Sequence, residues 1–127
     1  MYNILILGLG GFLGAVSRYL VSTYVQDLFK AANFPYGTLF VNILGCFVLG
    51  LLTHIAGARD LIDAQARLFL MVGFVGAFTT FSTFSLESAS LFQNGQNFTA
   101  FLYLIGSNIL GLAFVFVGQA AASQMIK

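Results

Sequence analysis

Hydrophobic residues in this chain run in long blocks, each closed by a short polar stretch. A helix needs roughly 20 apolar residues to cross the hydrocarbon core of a bilayer. Four blocks meet that need, at about 4–25, 35–55, 68–92 and 98–122. Pro35 suits the first turn of the second, where a missing N–H costs nothing. The connections Gln26 to Phe34, Gly57 to Ala66 and Gln93 to Asn97 are polar and too short to form a soluble domain. No linker, low-complexity stretch or repeat divides the chain, so the pattern predicts one all-α membrane domain over 1–127. The first block begins almost at Met1, with no positive stretch before it and no cleavage-like pattern within. It therefore reads as a retained span and not a signal peptide.

Composition agrees. The 127 residues are 59% hydrophobic and 7% charged, where soluble domains carry about a quarter charged residues. A soluble fold this small could not hide so much apolar surface. A net charge of +1 offers no basic face for nucleic acid. The single cysteine, Cys46, closes no internal disulfide and reads as a buried thiol.

The third block departs from a plain span. Leu68 to Phe78 is apolar or glycine throughout, and Thr79-Thr80-Phe81-Ser82-Thr83-Phe84-Ser85 follows at mid-membrane depth. Non-helical backbone survives there only inside protein or beside a watery cavity, and hydroxyls can satisfy carbonyls freed by a break. A discontinuous helix near Gly76 to Thr80 is the expectation; an unbroken helix with hydroxyls bonded back to its own carbonyls is the alternative. Carbonyls freed by a break could coordinate a small cation. Phe81 and Phe84 share a helix face. With fifteen phenylalanines in the chain, core or lipid packing is the plain reading of that pair. An aromatic ring is also positive around its edge, so ring edges attract an anion, and the Ser82 and Thr83 hydroxyls could donate to the same ion.

Two more blocks carry polar stripes. Thr38, Asn42 and Cys46 recur every four residues, as do Tyr103, Ser107 and Gly111, with Asn108 adjacent. Interhelical hydrogen bonding explains such stripes; so does a donor-lined track for an anion. The absence of any carboxylate expected inside tilts the reading to a small, strongly hydrated anion. Glycines at 10, 14, 45, 50, 73, 76, 106 and 111 suit close helix packing. Arg18 is the one charge well inside a span, a place for a pore mouth or a structural pairing. Glu87 and His54 are expected at the interfaces. Four spans put the termini on one side with Arg59, Arg67 and Lys127, against Lys30 and Arg18, which sets only a feeble orientation bias.

Three strings then bring a family into view: Gly10-Gly11-Phe12-Leu13-Gly14-Ala15-Val16-Ser17-Arg18-Tyr19, Gly37-Thr38-Leu39-Phe40-Val41-Asn42-Ile43-Leu44-Gly45, and Gly73-Phe74-Val75-Gly76-Ala77-Phe78-Thr79-Thr80-Phe81-Ser82-Thr83-Phe84. On these the chain resembles the Fluc fluoride channels, also called CrcB proteins, over essentially its whole length. The resemblance implies a passive fluoride channel of the bacterial inner membrane, working as an antiparallel homodimer with two pathways. It implies that Phe81 and Phe84 present ring edges to fluoride. Asn42, Ser82 and Thr83 would lie along the pathway, with Tyr103 and Ser107 on a polar track in the fourth span. It implies a structural sodium ion at the dimer centre, held by the carbonyls of Gly76 and Thr79 from both copies. Arg18 matches the family's first-span arginine. Gly111 departs from members that carry a hydroxyl there.

Rival readings are weaker on the residues. A proton-coupled exporter of organic cations needs a carboxylate in the first span, which here holds Arg18 instead. A non-transporting membrane subunit leaves the hydroxyl-rich third span unexplained. With one histidine and no nucleophile-plus-base spacing, an enzyme is not expected.

Overall fold

The structure is a computed structural model and describes residues 1–30, 33–59 and 62–126. The side chain of Arg59, and Lys127, both weighed above for orientation, lie outside the described residues. Every regular element among those residues is helical. α1 (Tyr2–Leu28) and α2 (Tyr36–Arg59) are followed by a composite third span, and α6 (Asn97–Met125) closes the chain. The third span starts as α3 (Ala64–Arg67), widens into a π-helix over Leu68–Val75 and tightens into α4 (Gly76–Phe78); after two extended residues it resumes as α5 (Phe81–Gln93). Four stretches, Tyr2–Leu28, Tyr36–Gly57, Ala64–Gln93 and Asn97–Met125, are long and apolar enough to cross a membrane. At about 1.5 Å per residue each outruns a core of about 30 Å, so the helix ends reach the headgroup region.

The ends are tied down by named groups. The Pro35 carbonyl accepts from Leu39 N–H at 3.1 Å, so the proline sits just ahead of the first turn of α2. Gln26 binds both sides of that turn: its Nε2 donates to the Phe34 carbonyl and its Oε1 accepts from Gly37 N–H, both at 3.1 Å. Asp63 caps α3 by accepting from Ala66 N–H at 2.7 Å. Arg67 donates to the carbonyls of Ala56 (2.5 Å) and Ile62 (3.0 Å), placing a cation at the C-terminal, partially negative end of α2. Gly95, at φ +73°, makes the left-handed turn between α5 and α6, and Gln96 N–H closes it on the Leu91 carbonyl.

Lipid gives helices no hydrophobic reason to associate, so close approach of backbones has to supply contact. α2 and α6 pack along their lengths, and α1 packs on the π-helical segment and α4. A methyl group at Gly14 would collide with the Phe74 carbonyl, and one at Gly118 with the Phe47 carbonyl. The helices touch where those side chains are missing. The buried apolar cluster is small: Phe84, Leu91, Ala100 and Tyr103, with Phe34, Leu39 and Leu104 against it. Most large apolar side chains, Leu9, Phe12, Ile105 and Phe116 among them, point outward.

The expected break lies where the hydroxyl cluster begins, at Thr79–Thr80. The π-helix before it was not expected. Nothing in Leu68–Val75 demands a wide turn by residue type; it accompanies the close packing of Phe69 and Phe74 carbonyls on Gly10 and Gly14.

Candidate functional site

Midway along the third span the backbone leaves the helix: Thr79 has φ −86°, ψ 159° and Thr80 φ −148°, ψ 123°. Thr79 N–H still reaches the Val75 carbonyl at 3.1 Å. Beyond it the ladder stops. Thr80 N–H, which an unbroken helix would give to the Gly76 carbonyl, donates to Asn42 Oδ1 at 2.8 Å; Asn42 Nδ2 in turn donates to the Thr80 carbonyl at 3.0 Å. The Thr80 side chain then starts α5, accepting from Thr83 N–H at 3.3 Å and donating to Thr83 Oγ1 at 3.0 Å. Two helix ends of opposite polarity therefore meet inside the span. The carbonyl end of α4 favours a cation and the N–H end of α5 an anion.

Beside this break runs an open groove of about 480 Å³ between α2, α6 and the third span. Asn42, Thr79, Thr80, Phe81, Phe84, Ser107 and Asn108 line one part of it, and Cys46, Leu49, Met71, Gly111, Leu112 and Val115 much of the rest. No lining residue carries a charge. Phe81 is 80% exposed and Phe84 7%, with centroids 6.0 Å apart, so one ring stands off the chain while the other closes the groove's inner wall. Ser107 Oγ is buried without a hydrogen-bond partner, an available polar group on that wall. Asn108 Nδ2 donates back to its own helix at the Leu104 carbonyl. Gly111 leaves room that Cys46 Sγ approaches.

One expectation is corrected here. The interior is expected to lack a carboxylate, and Glu87 departs from that. Glu87 is instead half-buried, accepting at one oxygen from Thr38 Oγ1 and at the other from the Tyr103 hydroxyl, both at 2.7 Å. The reason is periodicity: Glu87 follows Phe84 by three residues and precedes Leu91 by four, so it shares their inward face. Tyr103 is fully buried, its ring edge-on to Phe84 at 5.0 Å and to Phe34 at 5.4 Å. It forms the wall behind Phe84 and does not line the groove. Behind it, a second hollow of about 670 Å³, lined by Gln26, Asn33, Ser90, Asn94 and Gln96 among others, reaches Glu87.

Of the residues singled out by sequence, the groove gathers Asn42, Gly76, Thr79, Phe81, Phe84 and Ser107. Ser82 and Thr83 stay outside it, exposed on the first turn of α5. Arg18 is half-buried, and its Nη1 lies 3.5 Å from the Thr79 carbonyl, at the break. Gly76 is exposed, with only the Met71 carbonyl near the place of a Cβ, so its face of the protomer is open. The Gly76 carbonyl, and the Thr79 carbonyl with the lone pair that Arg18 leaves, are hard oxygen donors of the type that suits a hard cation. Sequence reasoning missed Gln26 and the Glu87–Thr38–Tyr103 set. Thr38 and Tyr103 had been marked by their stripes, and the register of Glu87 to Phe84 was the signal for the third member.

Residues 5–119 match the family profile described as CrcB-like protein, Camphor Resistance (CrcB). The chain is 48% identical over 125 residues to the "Fluoride-specific ion channel FluC" of Dehalococcoides mccartyi strain CBDB1, covering 98% of this chain and 95% of that one. It is 43% identical over 125 residues to the FluC of Agrobacterium fabrum, covering 98% and 99% of the two chains. It is 41% identical over 125 residues to "Fluoride-specific ion channel FluC 1" of Methanosarcina acetivorans, covering 98% and 94%.

Proposed function

The chain belongs to the CrcB family of fluoride-specific ion channels, and from that premise we propose that it passes fluoride across its membrane through the groove beside the broken helix, as an antiparallel homodimer with two pathways. One observation carries this reading: a charge-free groove lies at the helix break, walled by phenylalanine rings and neutral polar groups. A small anion that sheds water needs donors in exchange. The N–H end of α5, Ser107 Oγ and the positive ring edges of Phe81 and Phe84 are of the right kind. A carboxylate facing the ion would repel it, and Glu87 is held away by the hydroxyls of Thr38 and Tyr103.

The groove is open along one side, and Phe81 stands outward from it. A second copy packed on this face closes the conduit and brings its own Phe81 to the opposite wall, which supports the dimer. An antiparallel pairing also opposes the two α4 carbonyl ends around one axis. Gly76 and Thr79 of both copies would then hold a sodium ion there, whose charge draws the two carbonyl ends together. Ser82 and Thr83, exposed in one protomer, would face the partner.

No step needs ATP or a proton. A membrane potential negative inside drives the anion outward by about 2.3 kcal/mol per 100 mV. The protein would reside in the plasma membrane. Expression in a cell lacking fluoride export tests the reading against its closest rival. Growth should return on fluoride and not on toxic organic cations; rescue on the cations alone would replace the channel with an exporter.

A further inference from the structure

We infer that Asn42 is a positioning residue that holds the third helix open, apart from any contact it makes with an ion. Its side-chain amide meets the backbone of Thr80 twice, accepting from N–H at 2.8 Å and donating to the carbonyl at 3.0 Å. In extended backbone the N–H and C=O of one residue point to the same side, and in a sheet a neighbouring strand answers both. Here one amide from α2 plays the neighbouring strand. Thr80 is buried, so neither group has water to turn to. Without the amide, the nearest remedy is to rebuild the helix: Thr80 N–H would return to the Gly76 carbonyl.

That rebuilding would undo the site in three places at once. It would withdraw the Gly76 carbonyl, remove Thr80 as the cap of α5, and rotate Phe81 and Phe84, which follow directly in sequence. No other side chain fits the task. Aspartate lacks the donor, serine and alanine cannot reach both groups, and glutamine is longer by one methylene. Asn42 also lines the groove, and one Nδ2 hydrogen is left over from the clamp. The clamp is thus separable from anything that hydrogen does.

The inference rests on the channel reading for its transport arm only; its backbone arm stands on geometry. Carbon chemical shifts of Thr79 and Thr80, measured by solid-state NMR in lipid, report whether these residues are extended or helical. The native protein should show extended shifts and a cross-peak linking the Asn42 amide to Thr80. Helical shifts, or no such contact, would overturn the clamp with no variant needed. In Asn42→Ala, and in the milder Asn42→Ser, the two threonines should move to helical or averaged shifts and fluoride flux should fall at least tenfold. Flux lost with Thr79 and Thr80 still extended would make Asn42 an ion ligand and not a clamp. Native flux in both variants would overturn the proposal too. A native protein that moves no fluoride would count against the channel and leave the shifts to judge the clamp.

Discussion

At Thr80 the backbone leaves one helix while the side chain begins the next, and the residues around it divide the labour of the site. Phe81 faces out and Phe84 faces in, although they are three apart on one short helix, because α5 lies at the protomer's edge with a single buried stripe: Phe84, Ser88 and Leu91. Asn42, Thr79 and Ser107 stand out in sequence because hydroxyls and amides in apolar blocks are conspicuous, whereas Phe81 and Phe84 read first as packing, and the carbonyl role of Gly76 and Thr79 comes only from the family resemblance. Glu87 was not legible. A charge near the end of a span suggests a solvated side chain, and pairing with Thr38 and Tyr103 is what makes its half-buried place between helices tolerable. Replacing Phe81 or Phe84 by isoleucine keeps apolar bulk and removes the polarised ring edge. Each variant should stay folded and dimeric while fluoride flux drops by about tenfold or more, equivalent to roughly 1.4 kcal/mol on the barrier. Stopped-flow or electrode-detected efflux measures it, and native rates in both would reject the aromatic edge as a contributor.

Elements were easier to read than residues. Four apolar blocks became four helices, each extended a few residues past its apolar core, because side chains at the ends can rest among headgroups. The break was legible because apolar sequence gave way to clustered hydroxyls. The π-helix was not, since it arises from what packs beside it. Glycines along α1 illustrate the same limit: sequence cannot tell which of Gly8, Gly10, Gly11 and Gly14 meets another helix. Gly10 and Gly14 press on the third span, whereas nothing lies within 4 Å of a Cβ at Gly8 or Gly11. Gly14→Val should therefore yield little monodisperse protein. Gly11→Ala should leave the protein as stable or more so, by up to about 1 kcal/mol, because alanine is the better helix former and nothing crowds the position. Thermal melting in detergent compares them; equal behaviour of the two would contradict the packing described between α1 and the π-helical segment.

At the scale of the whole molecule, one protomer presents an open groove, an outward phenylalanine and an exposed Gly76 on its surface. In the proposed dimer, a second copy turns these into a closed conduit. The proposed sodium ion, bound only by the assembled pair, would stabilise that pair by mass action, about 2.7 kcal/mol when the ion is present at a hundred times its dissociation constant. Melting temperature should accordingly be higher in sodium chloride than in N-methylglucamine chloride of equal strength; identical melting would remove the cation from the account. Arg18 reaches the same Thr79 carbonyl at 3.5 Å, a contact that ties the first span to the break. The most direct test of the whole is electrogenic fluoride efflux from liposomes holding purified protein, with and without a potassium ionophore to release the opposing voltage. Fluoride should leave rapidly only when the ionophore is present, and chloride should stay; vesicles that keep their fluoride while the protein is demonstrably folded would contradict the channel.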